Sequence, residues 1–330
     1  MQTGLITKIL DSGEAAVAAA ARCLEAGGLV AFPTETVYGL GADATNPSAI
    51  TRLYRAKGRP LFNPLISHVC DLKAARRLGR FDATAVTLAE AFWPGPLTLV
   101  LPKRSDCAVA ELATAGLDTI AIRVPAHDVA QAILQTFGKP VVAPSANLSG
   151  HVSPTTAAHV NRDLEGRIDL IIDGGPVEVG VESTIVGCFD PPMLLRPGGV
   201  PREDIEHLLG RPLARPPLDA ENDGGQPLAP GMLTSHYAPR TSVRLDAETV
   251  APGEALLAFG DAALPGADQA LAAMNLSAHG DLTEAAANLF GYLRRLDTAE
   301  ARAIAVMRIP DRGLGEAIND RLRRAAAGRT

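Results

Sequence analysis

A stretch rich in proline and glycine divides this chain of 330 residues into two parts. Residues 211–240 contain six prolines and three glycines. Proline removes a backbone hydrogen-bond donor and glycine weakens helices and strands, so regular structure is not expected to persist across this stretch. The sequence therefore predicts two folded units, residues 1–210 and residues 241–330, joined by a linker over residues 211–240.

Both units combine candidate strands with candidate helices. The first unit has predicted helices at residues 13–26, 46–56, 82–92 and 128–137. Its predicted strands are at residues 29–32, 97–101, 119–124, 140–143, 169–173 and 184–189. The second unit has predicted strands at residues 255–259 and 303–308 and predicted helices at residues 282–295 and 314–327. The pattern predicts an α/β fold whose first sheet is too irregularly connected to be doubly wound.

Charge is distributed unevenly along the chain. The net charge of −6 and the aromatic content of 4% argue against a general nucleic-acid coat protein. Residues 51–80 nevertheless contain eight basic residues and a single acid. Gly58 and Pro60 fix the backbone around Lys57 and Arg59, which favours a binding role for these two cations. A solvated helix face is expected for three others: Arg76, Arg77 and Arg80.

The cysteines indicate an intracellular setting. All four lie in apolar surroundings and are predicted to be buried free thiols: Cys23, Cys70, Cys107 and Cys188. They form no Cys-x-x-Cys pair, so neither a zinc site nor a disulfide framework is predicted. The chain also has no apolar signal core and no apolar run of about 18 residues. We therefore expect a cytoplasmic protein without a membrane segment.

Two motifs near the N-terminus suit a ligand that carries phosphate. Residues 31–41 lead from a short apolar strand into hydroxyls, glycines and a tyrosine, and residues 57–65 place Lys57 and Arg59 two positions apart. The chain has no Gly-x4-Gly-Lys-Ser/Thr phosphate loop. Residues 39–44 formally fit the dinucleotide fingerprint, but the next helix is predicted to begin only after Asn46. The motifs therefore indicate nucleotide chemistry on an unusual scaffold.

Further polar groups follow the predicted strands. Residues 143–150 end a strand in hydroxyls, an amide and a glycine, and no Gly-x-Ser-x-Gly elbow surrounds Ser145. Residues 180–185 and 195–198 repeat the pattern. Arg123 is a lone cation in an apolar strand, where it needs a partner. A structural salt bridge and a clamp for a substrate carboxylate explain Arg123 equally well.

Taken together, the motifs resemble the threonylcarbamoyl-AMP synthase family, in the long form that has a YrdC-like catalytic domain and a C-terminal extension. The matching segments run in order along nearly the whole chain: Pro-Thr-Glu-Thr-Val-Tyr-Gly-Leu at 33–40, Lys-Gly-Arg-Pro at 57–60, Asn-Pro-Leu-Ile-Ser-His at 63–68, Trp-Pro-Gly-Pro-Leu-Thr at 93–98, Arg-Val-Pro at 123–125, Pro-Ser-Ala-Asn-Leu-Ser-Gly at 144–150, Glu-Ser-Thr-Ile at 182–185, Leu-Arg-Pro-Gly at 195–198, His-Tyr-Ala-Pro at 236–239 and Gly-Leu-Gly-Glu-Ala-Ile-Asn-Asp-Arg-Leu at 313–322.

The resemblance implies a fold and a reaction. The fold would be a YrdC-like twisted mixed sheet with helices around a basic cleft, followed by a linker that closes over the active site and a small C-terminal Rossmann-like α/β domain. The reaction would convert L-threonine, bicarbonate and ATP into threonylcarbamoyl-adenylate and pyrophosphate. A downstream transferase complex would then pass the threonylcarbamoyl group to tRNA, and the protein itself would contact tRNA weakly.

The resemblance also implies the site residues. Four would bind L-threonine: Thr36, His68, Arg123 and Ser183. Nine would bind ATP: Lys57, Arg59, Asn63, Thr119, Ser145, Asn147, Ser153, Arg196 and Tyr237. Lys57 and Arg59 would contact the phosphates and act as the catalytic cations. Mg²⁺ would be bound mainly through the ATP phosphates, without a dedicated protein site, and structural roles are expected for Glu35, Asp173 and Glu182.

Two departures and two alternatives accompany this hypothesis. Gly187 stands where relatives commonly have aspartate, and residues 232–236 lack a basic residue that is often found there. An RNA-binding protein is one alternative, which the low aromatic content and the negative net charge disfavour. The other is a carbamoyl-transfer enzyme that uses carbamoyl phosphate, which the motif at His236 and Tyr237 and the C-terminal extension disfavour.

Overall fold

The computed structural model describes residues 5–216 and 237–327. The elements of the first unit are β1 (Lys8–Asp11), α1 (Glu14–Glu25), β2 (Val30–Phe32), β3 (Gly39–Asp43), α2 (Pro47–Lys57), β4 (Ile66–His68), α3 (Leu72–Ala75), α4 (Ala83–Phe92), β5 (Leu97–Pro102), β6 (Thr119–Arg123), α5 (Asp128–Phe137), β7 (Val141–Val142), α6 (Ala157–Leu164), β8 (Leu170–Asp173), β9 (Thr184–Gly187), β10 (Met193–Arg196) and α7 (Arg202–Leu209). Those of the second unit are β11 (Ser242–Arg244), β12 (Glu254–Ala258), β13 (Ala273–Asn275), α8 (Leu282–Leu296), β14 (Ala303–Val306) and α9 (Leu314–Ala326). Short 3-10 helices lie at Glu111–Thr114 and Ala267–Gln269.

Each unit is built on its own sheet. The first has ten strands in the order β1-β8-β2-β3-β7-β4-β6-β5-β9-β10, with parallel and antiparallel pairs mixed. The second has four strands in the order β11-β14-β12-β13, and its pairs are parallel. The mixed first sheet and the small parallel second sheet confirm the predicted α/β fold class with a Rossmann-like C-terminal domain.

The helix before the cationic motif begins and ends where the sequence predicts. The side chain of Asn46 accepts hydrogen bonds from the backbone N–H groups of Ser48 and Ala49, and Pro47 occupies the first turn. Gly58 ends the helix in the left-handed conformation, with φ 61°. This end places Lys57 in the last turn of α2 and sends the chain back, which brings Arg59 to the cleft.

Several elements were not predicted from the sequence. One of them is β3. It was missed because two of its five residues, Gly39 and Gly41, carry no side chain to signal a strand. A Cβ at Gly41 would lie 2.7 Å from the ring of Phe32, so the close pairing of β2 and β3 requires glycine. The strand also shows that these glycines do not open a helix, as a dinucleotide fingerprint would require. The other unpredicted elements are β1, β4, α3, α6, β10, α7, β11 and β13.

The second hydrophobic core joins the two units. It is formed by side chains of β12, β14, α8 and α9, and it also includes Val37, Val152 and Val181 of the first unit. Tyr237, just before the second unit, belongs to the same core and stacks on Phe290, with ring centroids 5.5 Å apart. Helices α8 and α9 are therefore packed against the cleft of the first sheet.

The first residues of the predicted linker pack on the first unit. Leu213 is buried in the first core, and Ala214 pairs with Met193, so residues 211–216 pack on the first unit. The motif at 232–236 lies outside the described residues.

All four cysteines are free thiols as predicted, but the prediction that all are buried is wrong for three of them. Only Cys188 is buried, whereas the other three are half-buried. Within residues 5–216 and 237–327, no helix is both long and apolar enough to cross a membrane.

Candidate functional site

A small polar cavity lies where strands of the first sheet meet the second unit. Its volume is about 50 Å³. The register of two parallel strands brings two of its lining residues side by side: His68 at the end of β4 pairs with Arg123 at the end of β6. The lining residues are Thr36, Val37, Arg59, Ile66, His68, Arg123, Ala143, Pro144, Ser145, Glu182, Ser183, Arg196 and Tyr237. The cavity thus brings together the four residues predicted for threonine and four of those predicted for ATP.

Arg123 is ion-paired and lines the cavity. Its Nε donates to the carbonyl of Gly95 at 3.3 Å, and its Nη1 donates to Thr36 Oγ1 at 2.9 Å. Its Nη2 lies 2.7 Å from Glu35 Oε1. These two atoms are close without being aligned as a hydrogen bond, and neither has another hydrogen bond to a described residue. The salt bridge that the sequence left open is present, and Nη2 keeps donor capacity for a ligand.

His68 is held as a neutral imidazole. It is buried, and its Nδ1 lies 3.2 Å from the carbonyl oxygen of Ile66. Burial and, to a smaller degree, the charge of Arg123 lower the pKa of His68 to about 3. At neutral pH this side chain can exchange hydrogen bonds with a hydroxyl but adds no charge to the cavity.

Ser183 and Arg196 form a second polar wall. The hydroxyl of Ser183 lies 2.8 Å from that of Thr98, and both side chains are buried. Arg196 Nη2 donates to the carbonyl of Ser183 at 2.8 Å and to its hydroxyl at 3.2 Å. Burial lowers the pKa of Arg196 from its usual value. Thr98 also lies next to the site, but it was not among the predicted site residues. It belongs to the otherwise apolar strand β5, so its hydroxyl gave no separate signal in the sequence.

Lys57 is buried behind the cavity. Its Nζ donates to the carbonyl oxygens of Ser145 and Asn147, each at 2.5 Å. Burial, and then the nearby charge of Arg59, lower the pKa of Lys57 well below its usual value. The ammonium therefore fixes the loop that carries Ser145, and its predicted contact with phosphate stays a prediction.

Arg59 lines the cavity next to this loop. Its Nε donates to the carbonyl of Asn63 at 3.2 Å and its Nη2 to that of Pro64 at 2.8 Å. Burial lowers the pKa of Arg59 to about 10, so the guanidinium is still a cation at neutral pH. Of the two predicted catalytic cations, Arg59 is the one that reaches the cavity.

The remaining residues predicted for ATP do not line the cavity. Asn147 Nδ2 donates to the carbonyls of Leu148 and His151, both at 2.8 Å. The side-chain oxygens of Asn63 and Asn147 are buried and have no hydrogen-bond partner among the described residues. Thr119 begins β6, at the end of the strand opposite to Arg123.

Glu182 connects the cavity to the second unit. Its Oε1 accepts from the hydroxyl of Ser153 at 2.5 Å, and its Oε2 accepts from Nε of Arg321 at 2.9 Å. Burial alone would raise the pKa of Glu182, but the charges of Arg321 and Arg196 lower it to about 2. Tyr237 adopts a left-handed backbone, with φ 62°, and the guanidinium carbon of Arg321 lies 5.4 Å from its ring centroid.

Arg321 was missed in the sequence, although a signal for it exists. In α9 its position falls on the same helix face as the buried residues Ala317, Ile318, Leu322 and Ala325. A lone cation on an apolar helix face must find a buried partner, as Arg123 must in its strand. The sequence does not say that the partner is Glu182, which is 139 residues away.

The structure also explains the departure at Gly187. This residue ends β9, and a Cβ there would lie 2.4 Å from the ring of Phe189. The aromatic ring therefore occupies the space that a side chain at Gly187 would need. Among the described residues, no group of three or more His, Cys, Asp or Glu side chains is placed to hold a metal ion.

Known proteins match this chain over nearly its whole length. A protein-family profile described as "Telomere recombination" matches residues 22–198, and one described as "Threonylcarbamoyl-AMP synthase, C-terminal domain" matches residues 200–327. The threonylcarbamoyl-AMP synthase of Bacillus subtilis is 42% identical over 98% of this chain and 96% of the relative. That of Pyrococcus abyssi is 41% identical over 94% of both chains. The crystal structure of P. abyssi Sua5 complexed with L-threonine superposes with a TM-score of 0.87, at 38% identity over 98% of each chain.

Proposed function

The chain belongs to the threonylcarbamoyl-AMP synthase family, and we propose that it converts L-threonine, bicarbonate and ATP into threonylcarbamoyl-adenylate and pyrophosphate. The observation that supports this best is the convergence of Thr36, His68, Arg123 and Ser183 on one cavity. A structural relative of near-equal length is P. abyssi Sua5 complexed with L-threonine.

In this proposal, Arg123 binds the threonine carboxylate. Its guanidinium is oriented by the carbonyl of Gly95 and by Thr36, while Nη2 has no aligned hydrogen bond to a described residue. A fixed guanidinium loses little freedom on binding and recognises a carboxylate through two parallel hydrogen bonds. The neutral His68 and the hydroxyl of Ser183 are suited to the threonine hydroxyl, since both can donate or accept.

The chemistry needs positioning and charge more than a covalent nucleophile. Threonine's amine and bicarbonate give a carbamate with loss of water, and a carbamate oxygen then attacks the α-phosphorus of ATP. The bond from that phosphorus to the bridging oxygen breaks, and pyrophosphate leaves with the electron pair. Arg59 and Arg196 are the cavity cations available to stabilise the phosphate charge, which is the main requirement of such a transfer.

Mg²⁺ would reach the site as part of the ATP substrate. The two carboxylates nearest the cavity are committed, because Glu35 is paired with Arg123 and Glu182 with Arg321. Among the described residues, the cavity therefore offers no free carboxylate pair, which fits an ion that is bound through phosphate oxygens and water. We assign no protein ligand to it.

ATP binding requires the cavity to widen. Small-molecule sites usually measure about 300–1,000 Å³, whereas this cavity measures about 50 Å³. Tyr237 is the lining residue that comes from the predicted linker at 211–240, and it stacks on Phe290 and lies against Arg321. We propose that Tyr237 moves when ATP binds and then closes over the nucleotide, as the resemblance implies for the linker.

The reaction is tested by pyrophosphate release from MgATP. We expect release that depends on both L-threonine and bicarbonate, and its loss in Arg123→Ala, whereas Arg104→Ala on the surface should behave like the unaltered chain. Release that appears only with carbamoyl phosphate would instead identify a carbamoyl-transfer enzyme. The absence of release with either substrate would refute both enzymatic hypotheses and favour a binding protein.

We also propose that the protein acts in the cytoplasm, passes its product to a tRNA-modifying transferase complex and contacts tRNA weakly. A groove of about 810 Å³ supports the tRNA contact, since its lining includes five cations and one acid. These residues are Lys73, Arg76, Arg77, Arg104, Lys139 and Asp106. The side chains of Lys73, Arg76 and Arg77 make no hydrogen bond or ion pair with any residue of 5–216 and 237–327, so they are available to phosphates.

A further inference from the structure

Arg321 reaches from the C-terminal domain to the edge of the catalytic cavity and is completely buried. Its Nε donates to Glu182 at 2.9 Å. Its Nη1 donates to the carbonyl of Pro197 at 2.8 Å and to the carboxylate of Asp320 at 2.7 Å. The guanidinium is therefore attached to the segments on either side of β9 and β10, which carry the second wall of the cavity.

Glu182 links Arg321 to the site. It lines the cavity, and the atom that Arg321 does not bind, Oε1, accepts from the hydroxyl of Ser153. The next residue in the chain is Ser183, whose backbone and hydroxyl are held by Arg196. A change in the position of Glu182 would therefore move residues predicted to bind both substrates.

A second arginine of the same domain holds the same segment. Arg294 of α8 pairs with Asp163 at 2.7 Å, and its guanidinium also donates to the backbone carbonyls of Val152 and Ser153. The C-terminal domain thus fixes Ser153 twice, through its backbone by Arg294 and through its hydroxyl by way of Arg321 and Glu182.

We propose that Arg321 is a positioning residue of the catalytic site: it fixes the Glu182 carboxylate, which in turn holds Ser153 and Ser183 at the cavity. The inference rests on the proposed function for the identity of the two ligands. Arg321 itself does not line the cavity, so the C-terminal domain serves the reaction by completing the wall of the cavity.

The charges around Glu182 determine how the loss of Arg321 would change the pKa of this carboxyl group. The groups that face it are Arg321 and Asp320 from α9, Arg196 from β10 and Tyr237. Without Arg321, one cation remains to offset burial, so the carboxyl binds a proton at a higher pH than before. A protonated Glu182 no longer presents two acceptor oxygens, and its bond to Ser153 must rearrange.

The test is the pH dependence of catalysis in Arg321→Gln. We expect kcat/KM for ATP to fall on the order of 10–100-fold, the range found for residues that orient metal ligands from behind. The loss should grow as the pH is lowered from about 8 to 5, the range where a raised carboxyl pKa is read out. In Arg321→Gln/Glu182→Gln the titrating group is gone, and the extra pH dependence should disappear.

Glu316→Gln is the matched control. Glu316 lies on the same helix and pairs across the same interface with Arg202 of α7, away from the cavity. It should keep the kinetic constants of the unaltered chain. An equal loss in this control, or a loss in Arg321→Gln that is the same at every pH, would refute the proposal and leave a merely structural contact.

Arg321→Lys keeps the inference testable if Arg321→Gln does not fold. Lysine retains the charge but not the planar fork that reaches Glu182 and Pro197 together, so an intermediate loss with the pH profile of the unaltered chain is expected. Kinetic constants identical to those of the unaltered chain would refute it. If the unaltered chain releases no pyrophosphate, the proposed function fails, and calorimetric binding of ATP and L-threonine to the same variants still decides on Arg321.

Discussion

The carboxylate of Glu35 lies 2.7 Å from the guanidinium of Arg123, and both side chains are buried. Neither Oε atom of Glu35 has an aligned hydrogen bond to a described residue, so this contact is chiefly electrostatic. A buried ion pair of this kind contributes little net stability, yet the removal of one partner leaves an uncompensated charge. Glu35 therefore keeps Arg123 in place at the cavity.

Glu35→Gln should lower the stability of the protein markedly. The substitution keeps the shape of the side chain but leaves Arg123 as an unpaired buried cation, which typically costs about 3–5 kcal/mol. Urea unfolding would measure the change. The control is Asp106→Asn, which breaks the exposed pair with Arg104 and should leave the stability nearly unchanged. Equal effects of the two substitutions would contradict the prediction.

Arg123→Lys should raise the KM for L-threonine. A lysine cannot bind Gly95, Thr36 and a ligand carboxylate at once, because it lacks the planar fork. The loss of a charged hydrogen bond is worth about 1.5–3 kcal/mol, which corresponds to about 10–100-fold in KM. Steady-state pyrophosphate release with varied threonine measures it, with Arg104→Lys as the control. An unchanged KM for threonine would exclude a direct role of the guanidinium.

Lys57→Met should weaken both the fold and ATP binding. The methionine keeps the apolar stem, but the carbonyls of Ser145 and Asn147 lose their donor. We expect the free energy of unfolding to fall by about 1–3 kcal/mol and the KM for ATP to rise, since Ser145 lines the cavity. Lys103→Met is the control. A raised KM with unchanged stability would instead indicate a direct contact between the ammonium and ATP.

His68→Asn should make stability less sensitive to acid. The pKa of His68 is about 3 in the folded protein and 6.5 for a free side chain. Between these values the unfolded chain binds a proton that the folded chain does not, so stability falls as the pH drops below 6.5. Above that pH the group contributes no pH dependence.

Thermal unfolding between about pH 4.5 and 6.5 measures this slope outside the range of Glu182. His127 and His159 have pKa values that burial also lowers, so part of the slope should remain in His68→Asn. The control is His279→Asn, the same substitution at an exposed histidine. A slope in His68→Asn equal to that of the unaltered chain would show that His68 is protonated in the folded state.

Arg76→Gln/Arg77→Gln should reduce tRNA binding without affecting pyrophosphate release. Each lost phosphate contact lowers the slope of log affinity against log salt by about 0.9 for duplex regions. Binding of tRNA at several salt concentrations measures the slope. Arg22→Gln/Arg167→Gln removes the same charge from exposed positions outside the groove and is the control. An unchanged slope in Arg76→Gln/Arg77→Gln would remove the groove from consideration.

Local sequence predicted most of the elements that carry the site. The cap at Asn46 and the left-handed Gly58 define α2, and the predicted strands at 97–101 and 119–124 became β5 and β6 with small shifts of their ends. Short strands such as β3 and β4 were missed. Three residues, or glycines without side chains, give too little periodicity to signal a strand that only its neighbours stabilise.

The sequence by itself determined the fold class and the residues that carry the family motifs, and it predicted a division into two units, because these depend on local propensity and on ordered short segments. Only the tertiary structure decided which groups meet. Arg123 forms an ion pair with Glu35, and Lys57 donates hydrogen bonds to two backbone carbonyls. Arg321 donates a hydrogen bond to Glu182, which is 139 residues away in the sequence. A buried charge must be paired, but the register of a sheet and the docking of two domains choose its partner.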